Sequence, residues 1–175
     1  MSAPNEPKSG MSTGLIILVV VGVVVMVAVA AVGIFAALGI YGARRYISKA
    51  KEAEGMASVQ MLALGIVRCS EQNALEGKSE RLPETAPAVP GSLADVSGRK
   101  YMSAPGDWGD PAYTCASFSM VSPQYFQYQW LKESSDRGVA RAVADFDGDG
   151  SPDVTVEAPV TCSAGRCRVG TVVKH

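Results

Sequence analysis

The hydrophobic and polar positions of this chain divide it into two kinds of segment. No charged residue lies between Lys8 and Arg44, and within that window residues 15–40 read LIILVVVGVVVMVAVAAVGIFAALGI. That run is long enough to cross a bilayer with some tilt. Seventeen of its positions are Leu, Ile, Val or Phe, worth about 5 to 10 kcal/mol of insertion free energy at roughly 0.3 to 0.6 kcal/mol each. Nine of them are valines, a poor choice for a helix in water. In lipid, however, the backbone must satisfy its own hydrogen bonds, so a helix is predicted. The run exceeds the apolar core of about 7 to 15 residues found in a cleaved secretory signal, and Tyr41-Gly42-Ala43-Arg44-Arg45 follows it without a clear cleavage site. A retained span is expected.

Beyond the span the pattern becomes amphipathic. YISKAKEAEGMASVQMLALGIVRCSEQ contains no proline, and Tyr46, Ala50, Ala53, Ala57, Leu64 and Val67 recur at helical spacing. They are expected to form the face that accepts a sheet, with Lys49, Lys51, Glu52, Glu54 and Gln60 on the other side. Gly55 and Gly65 each weaken the helix by about 1 kcal/mol and permit bending or close approach. Prolines then break the pattern, so LPETAPAVPGS (residues 82–92) reads as an extended loop. Its LPETA is similar to a sortase sorting signal, but more than eighty residues follow it where a hydrophobic stretch and basic tail belong.

From Tyr101 onward the expectation is strands. Tyr113–Met120 alternates loosely, and Phe126-Gln127-Tyr128-Gln129-Trp130 alternates strictly, with three rings on one face. Gly138–Ala144 and Val154–Val156 are further candidates. Val160–Cys162 with Arg168–Val173 reads as a terminal hairpin. The aromatic row suits either a ligand platform or a sheet face packed on a helix, and packing is the reading adopted. The organisation that results is a polar segment 1–14, a transmembrane helix 15–43, its amphipathic continuation 44–76, a Pro-rich loop 77–100 and a sheet domain 101–175. The fold class is α+β, a long N-terminal helix packed by a small antiparallel sheet.

Charge and cysteines narrow the function classes. From Arg44 onward fifteen Lys and Arg face sixteen Asp and Glu, and no basic stripe points to nucleic acid. The cysteines are Cys69, Cys115, Cys162 and Cys167, without a C-x-x-C pair, and the one histidine is His175, so a zinc site is not expected. An even cysteine count in a small domain beside a span suggests two disulfides and an oxidising compartment. The short spacing favours Cys162 with Cys167, which leaves Cys69 with Cys115, one of three connectivities. Against this, Arg44, Arg45, Lys49 and Lys51 would place the C-terminal side in the cytoplasm by the positive-inside rule. No nucleotide-binding or nucleophile motif is present, so neither an enzyme nor a small-molecule substrate is expected.

One motif leaves two readings open. Residues 145–153 read DFDGDGSPD. Asp145, Asp147, Asp149 and Gly150 fit the first half of an EF-hand loop and Asp153 its ninth position, but Val156 stands at the twelfth, with Glu157 one step late. The four aspartates are candidate calcium ligands, and calcium is the only cofactor considered. Equally, Asp-Gly pairs supply the positive φ angles of a hairpin turn between two strands.

The arrangement resembles the type IV pilin and pseudopilin superfamily. The likeness is carried by AALGIYGARRYISKAKEAEGMASVQML, where such a helix would leave the bilayer, and by SPQYFQYQW followed by GVARAVADFDGDGSPDVTV. The resemblance implies a single-pass inner-membrane protein with its C-terminal domain in the periplasm, or at the cell surface after assembly into a filament. It implies membrane lipid and other pilin-like subunits as partners, and a structural role as a minor pilin or pseudopilin. It also implies cleavage after Gly10, with methylation of Met11. The chain departs from the family in carrying Leu15 where a glutamate is expected. The small residues Ala28, Ala31, Gly33, Ala36, Ala37 and Gly39 are a candidate helix-packing seam. The alternatives are a stand-alone membrane-tethered calcium-binding domain and a bitopic accessory subunit of an envelope complex.

Overall fold

The computed structural model describes residues 13–78 and 81–175, so the processing candidates Gly10 and Met11 lie outside the described residues. The chain forms two compact units, Met1–Ser48 and Lys49–His175. Helix α1, Thr13–Leu75, contributes to both. In the first unit, Thr13–Gly39 is long and apolar enough to cross a membrane, and none of it is buried inside the protein. A helix of that composition without protein cover is not a core helix.

The second unit is built on residues 49–75 of α1. Its buried positions there are Gly55, Ser58, Val59, Leu62, Ala63, Gly65, Ile66, Cys69, Ser70 and Asn73, spaced by three and four as one helical face requires. This is not the face expected from the sequence. Tyr46 is 77% exposed and Leu64 47% exposed, Ala50, Ala53 and Ala57 are exposed, and Val67 is half-buried. Both sides of this segment carry apolar residues, so hydrophobicity alone leaves the helical phase undecided. The glycines decide it. A Cβ on Gly55 would stand 2.5 Å from the Phe126 ring, and one on Gly65 would collide with the Ala116 carbonyl. Only a bare backbone lets the domain come that close. The charged residues move accordingly: Lys51, Glu52 and Glu54 are half-buried toward the domain rather than turned away from it. The helix ends in a Schellman motif, with Gly77 at φ 71°, Gly77 N–H donating to Ala74 O and Lys78 N–H to Asn73 O.

The sheet is antiparallel in the order β1 (Gln127–Lys132), β2 (Arg137–Ala144), β3 (Val154–Ser163), β4 (Arg166–Val169), and β5 (Val173–Lys174) also pairs with β3. The aromatic row is core: Phe126, Tyr128 and Trp130 are fully buried. Small residues oppose the large ones, with Tyr128 opposite Ala142 and Trp130 opposite Ala140. Ala158, Val156 and Val160 of β3 complete the inward face. The two short segments expected at Val154–Val156 and Val160–Cys162 are one strand that runs through Pro159.

Two further segments complete the domain. The Pro-rich loop is extended, as expected, and covers the free edge of β1: Ala86 N–H donates to Trp130 O, and Val89 and Tyr128 exchange both backbone bonds. An edge so covered is not open to another chain. Tyr113–Met120, expected as a strand, instead begins as helix α2, Pro111–Ala116. The Asp110 carboxylate caps its start by accepting from Ala112 N–H at 2.9 Å, and Pro111 occupies the first turn, where no N–H is needed. Ser117, at φ 52°, ends it.

Both disulfides form as expected, Cys69–Cys115 and Cys162–Cys167. The first ties α1 to α2 across 46 residues of sequence and the second closes 5. On loop-entropy grounds they are worth about 4 and about 2 kcal/mol. If the glycine contact sets the helix phase, Gly65→Leu is expected to destabilise the second unit by about 1–3 kcal/mol, whereas Ala57→Leu, on the exposed face, stays within about 0.5 kcal/mol. Thermal melts of the two variants in detergent check this, and equal melting temperatures would contradict it.

Candidate functional site

The aspartate loop joins β2 to β3, and the chain turns there because Gly148 and Gly150 adopt φ of 82° and 88°. Asp145 is fully buried at its base. One of its carboxylate oxygens accepts from Gly148 N–H at 2.7 Å, and the other from Gly150 N–H at 2.9 Å and Ser97 Oγ–H at 2.5 Å. Asp147 accepts from Asp149 N–H, and Asp149 from Ser151 N–H. Asp153 accepts from the backbone N–H groups of Phe146 and Asp147. Each carboxylate therefore shapes the turn it sits in.

Of the four candidate ligands, three come together. Asp145, Asp147 and Asp149 each bring one oxygen within 4.8 Å of the others, a donor set of the hard-cation kind. Asp153 is not in that group. The position that would supply a bidentate glutamate is Val156, buried in the sheet. Glu157 is engaged elsewhere, accepting from Arg141 Nε at 2.7 Å. The loop thus offers three carboxylates where calcium takes about six to eight oxygens, and its internal hydrogen bonds account for its shape without an ion.

The Ser97 hydroxyl holds the Asp145 carboxyl below the ordinary aspartate range, helped by the Gly148 and Gly150 amides and opposed by burial. Ser97 was not legible as part of this site. It lies 48 residues upstream and reaches the loop only because Gly98 N–H donates to Asp145 O and packs on Gly148.

The remaining candidate residues are dispersed. Ala28, Ala31, Gly33, Ala36, Ala37 and Gly39 all lie on the apolar part of α1, and a Cβ on Gly33 or Gly39 would meet nothing within 4 Å. At 100° per residue they wrap about two thirds of the helix circumference rather than one stripe. Leu15, at the position of the missing glutamate, is 50% exposed.

An open groove of about 500 Å³ lies beside Trp108, Tyr113 and Phe118 and has no local sequence signature. A second, of about 570 Å³, is lined by Met61, Leu64 and Phe118. Both grooves adjoin Phe118. Tyr113 and Tyr128 hold their hydroxyl protons more tightly than usual, chiefly because both are buried. That suits packing rather than proton transfer. No family model, curated protein or solved structure matches the chain.

The bonds to Asp145 carry a pH dependence. A carboxyl more acidic folded than unfolded stabilises the fold above the ordinary aspartate range, and this is lost as pH falls through and below that range. Asp145→Asn is expected to cost about 1–3 kcal/mol at neutral pH and to flatten the acid limb of a stability-versus-pH curve. Asp149→Asn, on the exposed rim, should leave that limb in place. Chemical denaturation across pH checks both, and an unchanged acid limb in Asp145→Asn would refute the assignment.

Proposed function

We propose that this protein is a membrane-anchored structural subunit of the pilin-like kind, a minor pilin or pseudopilin, with its sheet domain on the oxidising side of the bilayer. The observation that supports this best is the division of labour within α1. An apolar stretch without protein cover occupies Thr13–Gly39, and residues 55–73 of the same helix carry a disulfide-stapled antiparallel sheet. Both cysteine pairs lie in the second unit, and disulfides persist outside the reducing cytoplasm. The disulfides support the outside reading, against the pull of the basic residues at 44, 45, 49 and 51.

The subunit acts by packing, not chemistry. Its apolar helix segment packs laterally against those of neighbouring copies, and the sheet domain forms the outer contact surface. A glutamate in place of Leu15 would be a lone carboxylate in lipid, at a cost of roughly 2.5 kcal/mol or more on insertion scales, and would need a partner amine. With Leu15 the span is at ease in the bilayer and lacks that registering contact, which fits a subunit incorporated sparsely. A second reading, a stand-alone membrane-tethered calcium-binding domain, draws on the Asp145, Asp147 and Asp149 cluster. Calorimetric titration of the detergent-solubilised chain showing no heat at millimolar calcium would remove it.

The mass of the native protein tests the subunit reading. A chain that starts at Met11, carrying a methyl group, is expected. An intact amino terminus would favour an accessory anchor instead. Leu15→Glu is expected to raise the share of the protein recovered in sheared filaments or pseudopili, and an unchanged or lower share would count against the missing-contact explanation.

A further inference from the structure

Two lysines of the second unit gather at one aromatic side chain. Lys51, on α1, holds its Nζ 4.4 Å from the centre of the Tyr125 ring and 5.0 Å from that of Phe146. Lys100, which follows the short 3-10 turn Leu93–Asp95, holds its Nζ 4.6 Å from the same Tyr125 ring. The two ammonium groups are therefore no more than about 9 Å apart, although the residues are distant in sequence. Lys49 is exposed two positions earlier on α1.

Gathering like charges is unfavourable unless something offsets it, and nearby carboxylates do so only in part. Among the described residues, neither Lys51 nor Lys100 forms an ion pair. Glu54 accepts from Tyr125 N–H at 3.0 Å. Glu52 pairs with Lys174 at 2.8 Å. Asp147 and Asp149, beyond Phe146, are tied into their own turns. The rings attract the ammonium groups through their π faces and leave N–H donors for an acceptor.

The chain itself indicates which acceptor. Lys51 follows Gly39, the end of the membrane-spanning stretch, by only twelve positions in the sequence. The covalent tether alone thus presents the bilayer surface to this unit at high effective concentration. Lysines partnered by aromatic rings are the side-chain chemistry of a headgroup layer.

We propose that Lys51, Lys100 and Tyr125 form a site for the phosphate of an anionic lipid headgroup. The inference rests on the reading of Thr13–Gly39 as a membrane anchor, but not on assembly into a filament. It also gives Lys51, one of the basic residues after the span, a role other than setting topology.

The test uses the full chain in lipid nanodiscs of phosphatidylcholine, alone or mixed with phosphatidylglycerol. The readout is the acylation rate of each lysine by an amine-reactive reagent, resolved by peptide mass spectrometry, with exposed Lys78 as internal reference. A lysine near an anionic surface contributes about fivefold to binding. Acylation of Lys51 and Lys100 is therefore expected to slow about fivefold when phosphatidylglycerol is added, while Lys78 keeps its rate. In the Lys51→Gln/Lys100→Gln variant, native mass spectrometry is expected to find less phosphatidylglycerol carried through detergent. Lys51→Arg/Lys100→Arg should retain it.

Equal rates in both lipids would overturn the proposal, because the ring contacts are the same in each. Protection by inorganic phosphate in pure phosphatidylcholine discs would also overturn it, by showing a site for soluble anions. A chain that enters neither kind of disc would remove the anchor and this site together. The native N-terminal mass bears on the subunit reading alone.

Discussion

The second unit depends on one close approach. Residues 55–73 of α1 meet the domain where two glycines expose bare backbone, Gly55 under the Phe126 ring and Gly65 against Ala116. Those contacts fix the rotation of the helix. That rotation sends Val59, Leu62 and Ile66 inward and brings Cys69 within bonding distance of Cys115. The disulfide then holds α2 in place, which presents Tyr113 to donate from its hydroxyl to Pro87 O at 2.6 Å. Through Pro87 the proline-rich loop is held along β1. A chain of contacts beginning at two missing side chains thus reaches the far edge of the sheet.

The same rotation explains the surface. Once the glycine side faces inward, Ala53, Ala57, Met61 and Leu64 must face outward, and Lys51, Glu52 and Glu54 end up at the margin of the domain. Lys174 reaches Glu52, and the Tyr125 amide reaches Glu54. The charges therefore help clamp the sheet to the helix at the end nearer the apolar stretch in sequence. Such exposed pairs are worth little individually, and the apolar face and the disulfide carry most of the attachment.

How much of this was legible depended on how local each cause was. The strands were readable because Phe126, Tyr128 and Trp130 alternate with glutamines, and because Asp-Gly pairs mark a turn. The short cysteine spacing likewise announced the Cys162–Cys167 hairpin. The helix phase was not readable: apolar residues lie on both sides of residues 46–67, and the deciding partners, Phe126 and Ala116, are far away in sequence. Helix α2 was misread as a strand from the loose alternation of Tyr113–Met120; Asp110 followed by Pro111 is the local start signal that identifies it as a helix. The aspartate loop was located correctly, but its meaning turned on Ser97 and on Arg141 holding Glu157, both non-local.

The central claim is that a disulfide-stapled domain, built on the continuation of a membrane helix, faces an oxidising compartment. The most direct measurement is a thiol count on protein isolated from its native membrane, alkylated under denaturing, non-reducing conditions and digested. The account predicts no alkylated cysteine and two linked peptide pairs, Cys69 with Cys115 and Cys162 with Cys167. Four alkylated cysteines, or a different pairing, would contradict it.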